Sequence, residues 1–161
     1  MSRRRSQRVT VLVDDGDWRD LAPRLSSQVR KAAALALARV EASKVRADNM
    51  TVLLTNDEHI RALNAQFRGK HKSTNVLSFP AKAAGYLGDV AIAFGVASRE
   101  AESDGKTLMD HVTHLTVHGV LHLLGYDHEK PHEAEIMEAL ETDILAELAI
   151  PDPYARRKRA A

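Results

Sequence analysis

Two hydrophobic periods alternate along this chain, one near two residues and one near three and a half. Arg8 to Val13 (RVTVLV) is rich in β-branched residues and predicts a strand ended by Asp14, Asp15 and Gly16. A long helix is expected next, with Pro23 in its first turn and its alanines and leucines running through Val40. Asn49 to Thr55 (NMTVLLT) predicts a second strand. Asn56 or Asp57 suits the N-cap of a short helix, on which Ile60, Leu63 and Phe67 share a face. KHKSTNVLSFP reads as a loop and then a short strand closed by Pro80, and a further strand is expected from Gly85 through Phe94. Three helices complete the pattern: Val96 to Ser103, broken at Gly105; Lys106 to Leu124; and Pro131 to Leu148. The second is apolar nearly all round, and the third carries Ile136, Leu140, Ile144 and Leu148 at steps of four.

Strands mixed with helices give an α/β fold of the α+β type. The expectation is a single domain over residues 1–161, with a small mixed sheet of about four strands packed with about five helices. Its basic ends, near 1–7 and 155–161, are expected to be mobile. A 161-residue chain with 44% hydrophobic and 28% charged residues fits one soluble globular domain.

The absence of cysteine excludes disulfides, thiolate ligands and a cysteine nucleophile, and it fits a cytosolic chain. No apolar signal core follows MSRRRSQRVT, and the apolar run Ala32 to Ala38 is far short of the roughly 20 residues a membrane span needs. Net charge is only +1, but its distribution is uneven: seven acids and one lysine lie between Glu129 and Ile150. No acid lies between His59 and Gly88, where Arg61, Arg68, Lys70, Lys72 and Lys82 are found. Taken alone, each run is a solvated face. The acid-free run gains meaning only if a metal site lies beside it.

The histidines suggest such a site. Of eight in the chain, His111, His114, His118 and His122 fall on one stripe of the apolar helix, at offsets of three, four and four. Buried imidazoles need polar partners, and an ion would satisfy several together. His118 and His122 stand one turn apart and can close on one ion at about 2.0–2.1 Å. His114 and His122 are about 12 Å apart along the axis, so both cannot reach it from a straight helix. Gly125 suits a left-handed helix stop, after which the chain can fold back to present Asp127 or His128.

Residues 118–128, HGVLHLLGYDH, have the HxxxHxxGxxH ligand spacing of metzincin proteases without their glutamate, and that spacing selects His128. Three neutral ligands leave a position open, which predicts a catalytic ion, with zinc expected. His111 and His114 are candidate outer-sphere donors or ordinary satisfied helix residues. Gly119 stands where the proteases carry their base, and Asp127 is the nearest substitute, so amide cleavage is poorly served. A phosphodiester fits better, because its anionic transition state is stabilised by a cation and arginine. Arg68, Lys70 and Lys72 would then form the phosphate-binding wall.

HGVLHLLGYDH, FRGKHKSTNVLSFP and GYLGDVAIA, in that order, closely resemble the YbeY family of bacterial endoribonucleases from about Asn49 to Tyr154. Lys72, Thr74, Asn75, Ser78 and Pro80 match the family's K-x-T-D/N-V-L-S-F-P loop, and Ser73 replaces a frequent proline. The resemblance implies a cytoplasmic, metal-dependent endoribonuclease specific for single-stranded RNA. It implies action on the 16S rRNA precursor, especially its 3′ end, and in ribosome quality control, with the ribosome and its assembly proteins as partners. It carries the zinc ligands onto His118, His122 and His128 and the family's functional arginine onto Arg68. Two further readings stay open: a metallopeptidase with a displaced base, and a ribosome-assembly factor whose metal is mainly structural.

Overall fold

The computed structural model describes residues 8–14, 16–69 and 74–155. The expected mobile ends therefore lie, apart from Ala155, outside the described residues. Strand β1 (Arg8–Val13) is followed by helix α1 (Ala22–Arg39) and a short 3-10 turn at Ala42–Lys44. Next come β2 (Asn49–Thr55), α2 (Asp57–Arg68), β3 (Val76–Pro80) and β4 (Gly88–Ala93). Helices α3 (Phe94–Ser103), α4 (Leu108–Leu123) and α5 (Pro131–Glu147) complete the domain.

The sheet is mixed and runs in the order β1-β2-β4-β3, with β3 as the antiparallel edge strand. Alternation along the strands sends Met50, Val52, Leu54, Val90 and Ile92 into one core with α1, α4 and α5. Leu77, Ala91 and Ala93 face the other way and pack with Ile60 of α2. The four strands and five helices are as expected, and β1 and β2 have the expected limits.

Strand β4 is shorter than expected. Gly85 sits in a turn at φ 78°, so the strand begins at Gly88, and Phe94 already opens α3. The early start of α3 is stabilised from a distance: an Asp57 carboxylate oxygen accepts the Val96 N–H at 3.0 Å. Phe94 also packs edge-on against Trp18, with ring centroids 4.9 Å apart. Helix α5 turns most of the expected stripe inward: Leu140, Ile144 and Leu148 pack against the core. Met137, Glu141, Ile144 and Leu145 point inward, whereas Ile136 is 44% exposed. Steps of four advance about 40° each, so a stripe from Ile136 to Leu148 drifts about 120° around the helix.

Helix α4 is the central element. It packs on β3, β4, α1, α3 and α5, and Val112, Leu115, Val117, Val120, Leu121 and Leu123 are all buried. Leu121→Ala is therefore expected to lower the unfolding free energy by about 2–5 kcal/mol, through lost transfer energy and the cavity left behind. Chemical denaturation measures this directly, and a loss below about 0.5 kcal/mol would mean that the site collapses around the smaller side chain.

Candidate metal centre

The C-terminal end of α4 brings the histidines together. The Gly125 N–H donates to the His122 carbonyl at 3.0 Å, and the Tyr126 N–H donates to the Leu121 carbonyl at 3.0 Å. With Gly125 at φ 96°, these bonds form a Schellman stop, which turns the chain back over the last turn of the helix. Asp127 then accepts the His128 N–H at 2.7 Å through Oδ1, a turn contact that engages one oxygen of the carboxylate considered as a substitute base.

His118, His122 and His128 converge, with one ring nitrogen from each lying within 4.8 Å of the others. Nε2 of His118 and Nε2 of His122 are 3.1 Å apart. Two nitrogens bound tetrahedrally at 2.0–2.1 Å from one ion stand about 3.3–3.4 Å apart, so this geometry fits a metal with little adjustment. Burial lowers the His122 pKa, and the neighbouring His118 and His128 rings lower it further. Both effects favour the neutral imidazole that a metal requires.

The other two histidines of the stripe each meet a carboxylate through Nε2. His111 Nε2 lies 2.9 Å from Glu100, and burial lowers its pKa against the opposing pull of that hydrogen bond. His114 Nε2 lies 2.5 Å from Glu141, which also meets His118 Nδ1 at 2.8 Å. His114, His118 and Glu141 therefore form a second close trio. It engages the opposite nitrogen of His118 from the one facing His122. Burial pushes the Glu141 carboxyl up, but hydrogen bonds from His114 and His118 outweigh it and hold the pKa at about 2.

Gly119 has a packing role. A Cβ there would lie 2.6 Å from Val90 Cγ1, and the Gly119 carbonyl accepts the Ser78 hydroxyl at 2.9 Å. The position thus faces the sheet, with no room for the protease glutamate. The same contact sets β3, part of the acid-free run, against α4 one residue from His118. Arg68 is the last residue of α2, but its side chain lies outside the described residues, as do Lys70 and Lys72. Sequence reasoning missed Glu141 and Tyr154, whose hydroxyl donates to Glu141 at 2.5 Å. An acid within the apolar periodicity of α5 was the available signal for Glu141; Tyr154 had none.

Comparison with known proteins gives consistent matches. The family model described as Endoribonuclease YbeY matches residues 13–149. An Endoribonuclease YbeY of Bradyrhizobium sp. (strain BTAi1) is 47% identical over 159 residues, covering 92% of this chain and 93% of the relative. One from Rhodopseudomonas palustris is 55% identical over 120 residues, covering 70% of this chain and 63% of the relative. A Thermotoga maritima protein solved in solution superimposes with a TM-score of 0.54 at 22% identity, covering 88% of this chain and 91% of that one, a likeness of fold. No helix among the described residues is long and apolar enough to cross a membrane.

Proposed function

The chain belongs to the Endoribonuclease YbeY family, and from that premise we propose that it is a zinc-dependent endoribonuclease specific for single-stranded RNA. His118, His122 and His128 are assigned as the ligands. Their convergence at the end of α4, with no fourth ligand in the group among the described residues, is the observation that carries this reading. A structural zinc site would be closed by a fourth protein ligand. An ion held by these three histidines would supply a Lewis acid for a phosphate oxygen, where the anionic transition state needs it. The occupied position at Gly119 argues against a peptidase, because the base of that reaction has no place there.

The substrate assigned to this site is the 16S rRNA precursor near its 3′ end, with a further role in ribosome quality control. The ribosome and its assembly proteins are the proposed partners and the cytoplasm the proposed compartment. Residues 1–161 form one catalytic unit. The names of the relatives support an RNA substrate, and the acid-free charge of the run that leads into β3, which packs on α4, supports a phosphate-binding wall of Arg68, Lys70 and Lys72.

Arg68 gives this reading a mutational test. A guanidinium that clamps a phosphate near the ion acts mainly in the transition state. Arg68→Glu is therefore expected to slow cleavage of labelled single-stranded RNA at least about tenfold, or ~1.4 kcal/mol. Arg68→Lys should also impair cleavage, since an ammonium cannot reproduce a bidentate contact. Metal content and Tm should stay near wild type. Cleavage at the wild-type rate would remove Arg68 from the site, and loss of zinc would assign it to the fold instead.

A further inference from the structure

Glu141 is the only acidic residue found buried among the described residues, and it is fully enclosed at 0% exposure. Isolated buried carboxylates are costly, so such a group must be compensated by hydrogen bonds or charge. Three donors converge on it: His118 Nδ1 at 2.8 Å, His114 Nε2 at 2.5 Å and the Tyr154 hydroxyl at 2.5 Å. An ionised carboxylate only accepts, so each of these partners must supply the proton.

The consequence for His118 is specific. With its proton held on Nδ1, Nε2 carries a bare lone pair, and that is the nitrogen 3.1 Å from His122 Nε2. His114 fits the same scheme: its Nδ1 is buried without a hydrogen-bond partner, as suits a ring whose only proton is on Nε2. Tyr154 reaches the carboxylate from the segment after α5. That segment is held by Asp152, which accepts the Tyr154 N–H at 2.8 Å and the Thr142 hydroxyl at 3.2 Å.

We propose that Glu141 is a positioning residue for the metal centre, fixing the tautomer and ring orientation of His118 so that Nε2 is always presented to the ion. This rests on the assignment of His118, His122 and His128 as ligands, but not on the identity of the RNA. Glutamine at this position keeps the shape and reverses part of the chemistry. Its amide N–H₂ would donate toward His118 Nδ1, favouring the tautomer whose proton sits on Nε2 and blocks the ion.

The test is zinc affinity by chelator competition, measured on metal-free wild type, Glu141→Gln and Leu145→Ala. Leu145 is buried on the same helix but is outside this hydrogen-bond network, so it controls for general loosening of α5. Glu141→Gln is expected to weaken zinc binding about 10- to 100-fold, while Leu145→Ala stays within about twofold. Equal weakening by both variants, or wild-type affinity in Glu141→Gln, would overturn the proposal. Imidazole nitrogen NMR of the zinc-loaded wild type supplies a readout that needs no variant to fold. It should show His118 protonated at Nδ1 and coordinated through Nε2, and coordination through Nδ1 would refute the role. Wild type that binds no zinc would instead overturn the ligand assignment, and this proposal with it.

Discussion

Gly119→Glu, which converts HGVLH into HEVLH, is expected to destabilise the protein by at least about 4 kcal/mol and to confer no peptidase activity. The new Cβ would lie 2.6 Å from Val90 Cγ1 and 3.3 Å from Ser78 Oγ. Valine is stiff at χ1 and Val90 is completely buried, so the overlap cannot be relieved by swinging a flexible end aside. Overpacking of this kind costs about 1–3 kcal/mol. Beyond the Cβ, a carboxylate would be driven between helix and sheet with no basic partner, at several kcal/mol more. Together these reach at least about 4 kcal/mol, against a total stability of about 5–15 kcal/mol for a typical domain. Circular dichroism and denaturant titration would show the loss. A variant that unfolds at the wild-type midpoint would mean that α4 stands clear of β4, and that position 119 is free to carry a base.

The second large effect is expected at His122, whose substitution by alanine should release the ion and reduce cleavage of single-stranded RNA at least about a hundredfold. Among the described residues His122 supplies one of three converging nitrogens, so its removal leaves two of these ligands for an ion that ordinarily requires more. Tm measured in the presence of zinc should fall as well. An ion present at 100 times its Kd contributes about 2.7 kcal/mol to the folded state, and the variant forfeits that linkage. His114→Ala is the matched comparison. It removes one donor to Glu141 but no ligand, so zinc should remain bound. Stoichiometric zinc of unchanged affinity in His122→Ala would refute the ligand assignment.

The parts of this site that could be read in advance are those encoded by local spacing. His118 and His122 are one helical turn apart, and Gly125 announces the left-handed stop that returns His128, so the trio follows from eleven consecutive residues. What escaped depends on contacts between distant segments. Glu141 is one of seven acids in its segment; its place in the apolar periodicity of α5 marks it as inward-facing, but the histidines and tyrosine that compensate it come from α4 and from beyond α5. The start of α3 is likewise set by Asp57, 39 residues earlier in the chain, whose carboxylate accepts the Val96 N–H. Of the stripe from Ile136 to Leu148, Leu140, Ile144 and Leu148 pack against the core while Ile136 turns to solvent, because steps of four drift around the helix and neighbouring helices decide which side is covered.

The central claim is tested most directly by titrating metal-free wild-type protein with zinc and following cleavage of a labelled single-stranded RNA at each step. The account predicts negligible cleavage without metal and a rise that ends near one equivalent per chain, with a duplex of the same sequence left intact. Cleavage by the metal-free protein at the fully loaded rate would contradict it, as would a zinc-loaded protein that leaves the single strand uncut.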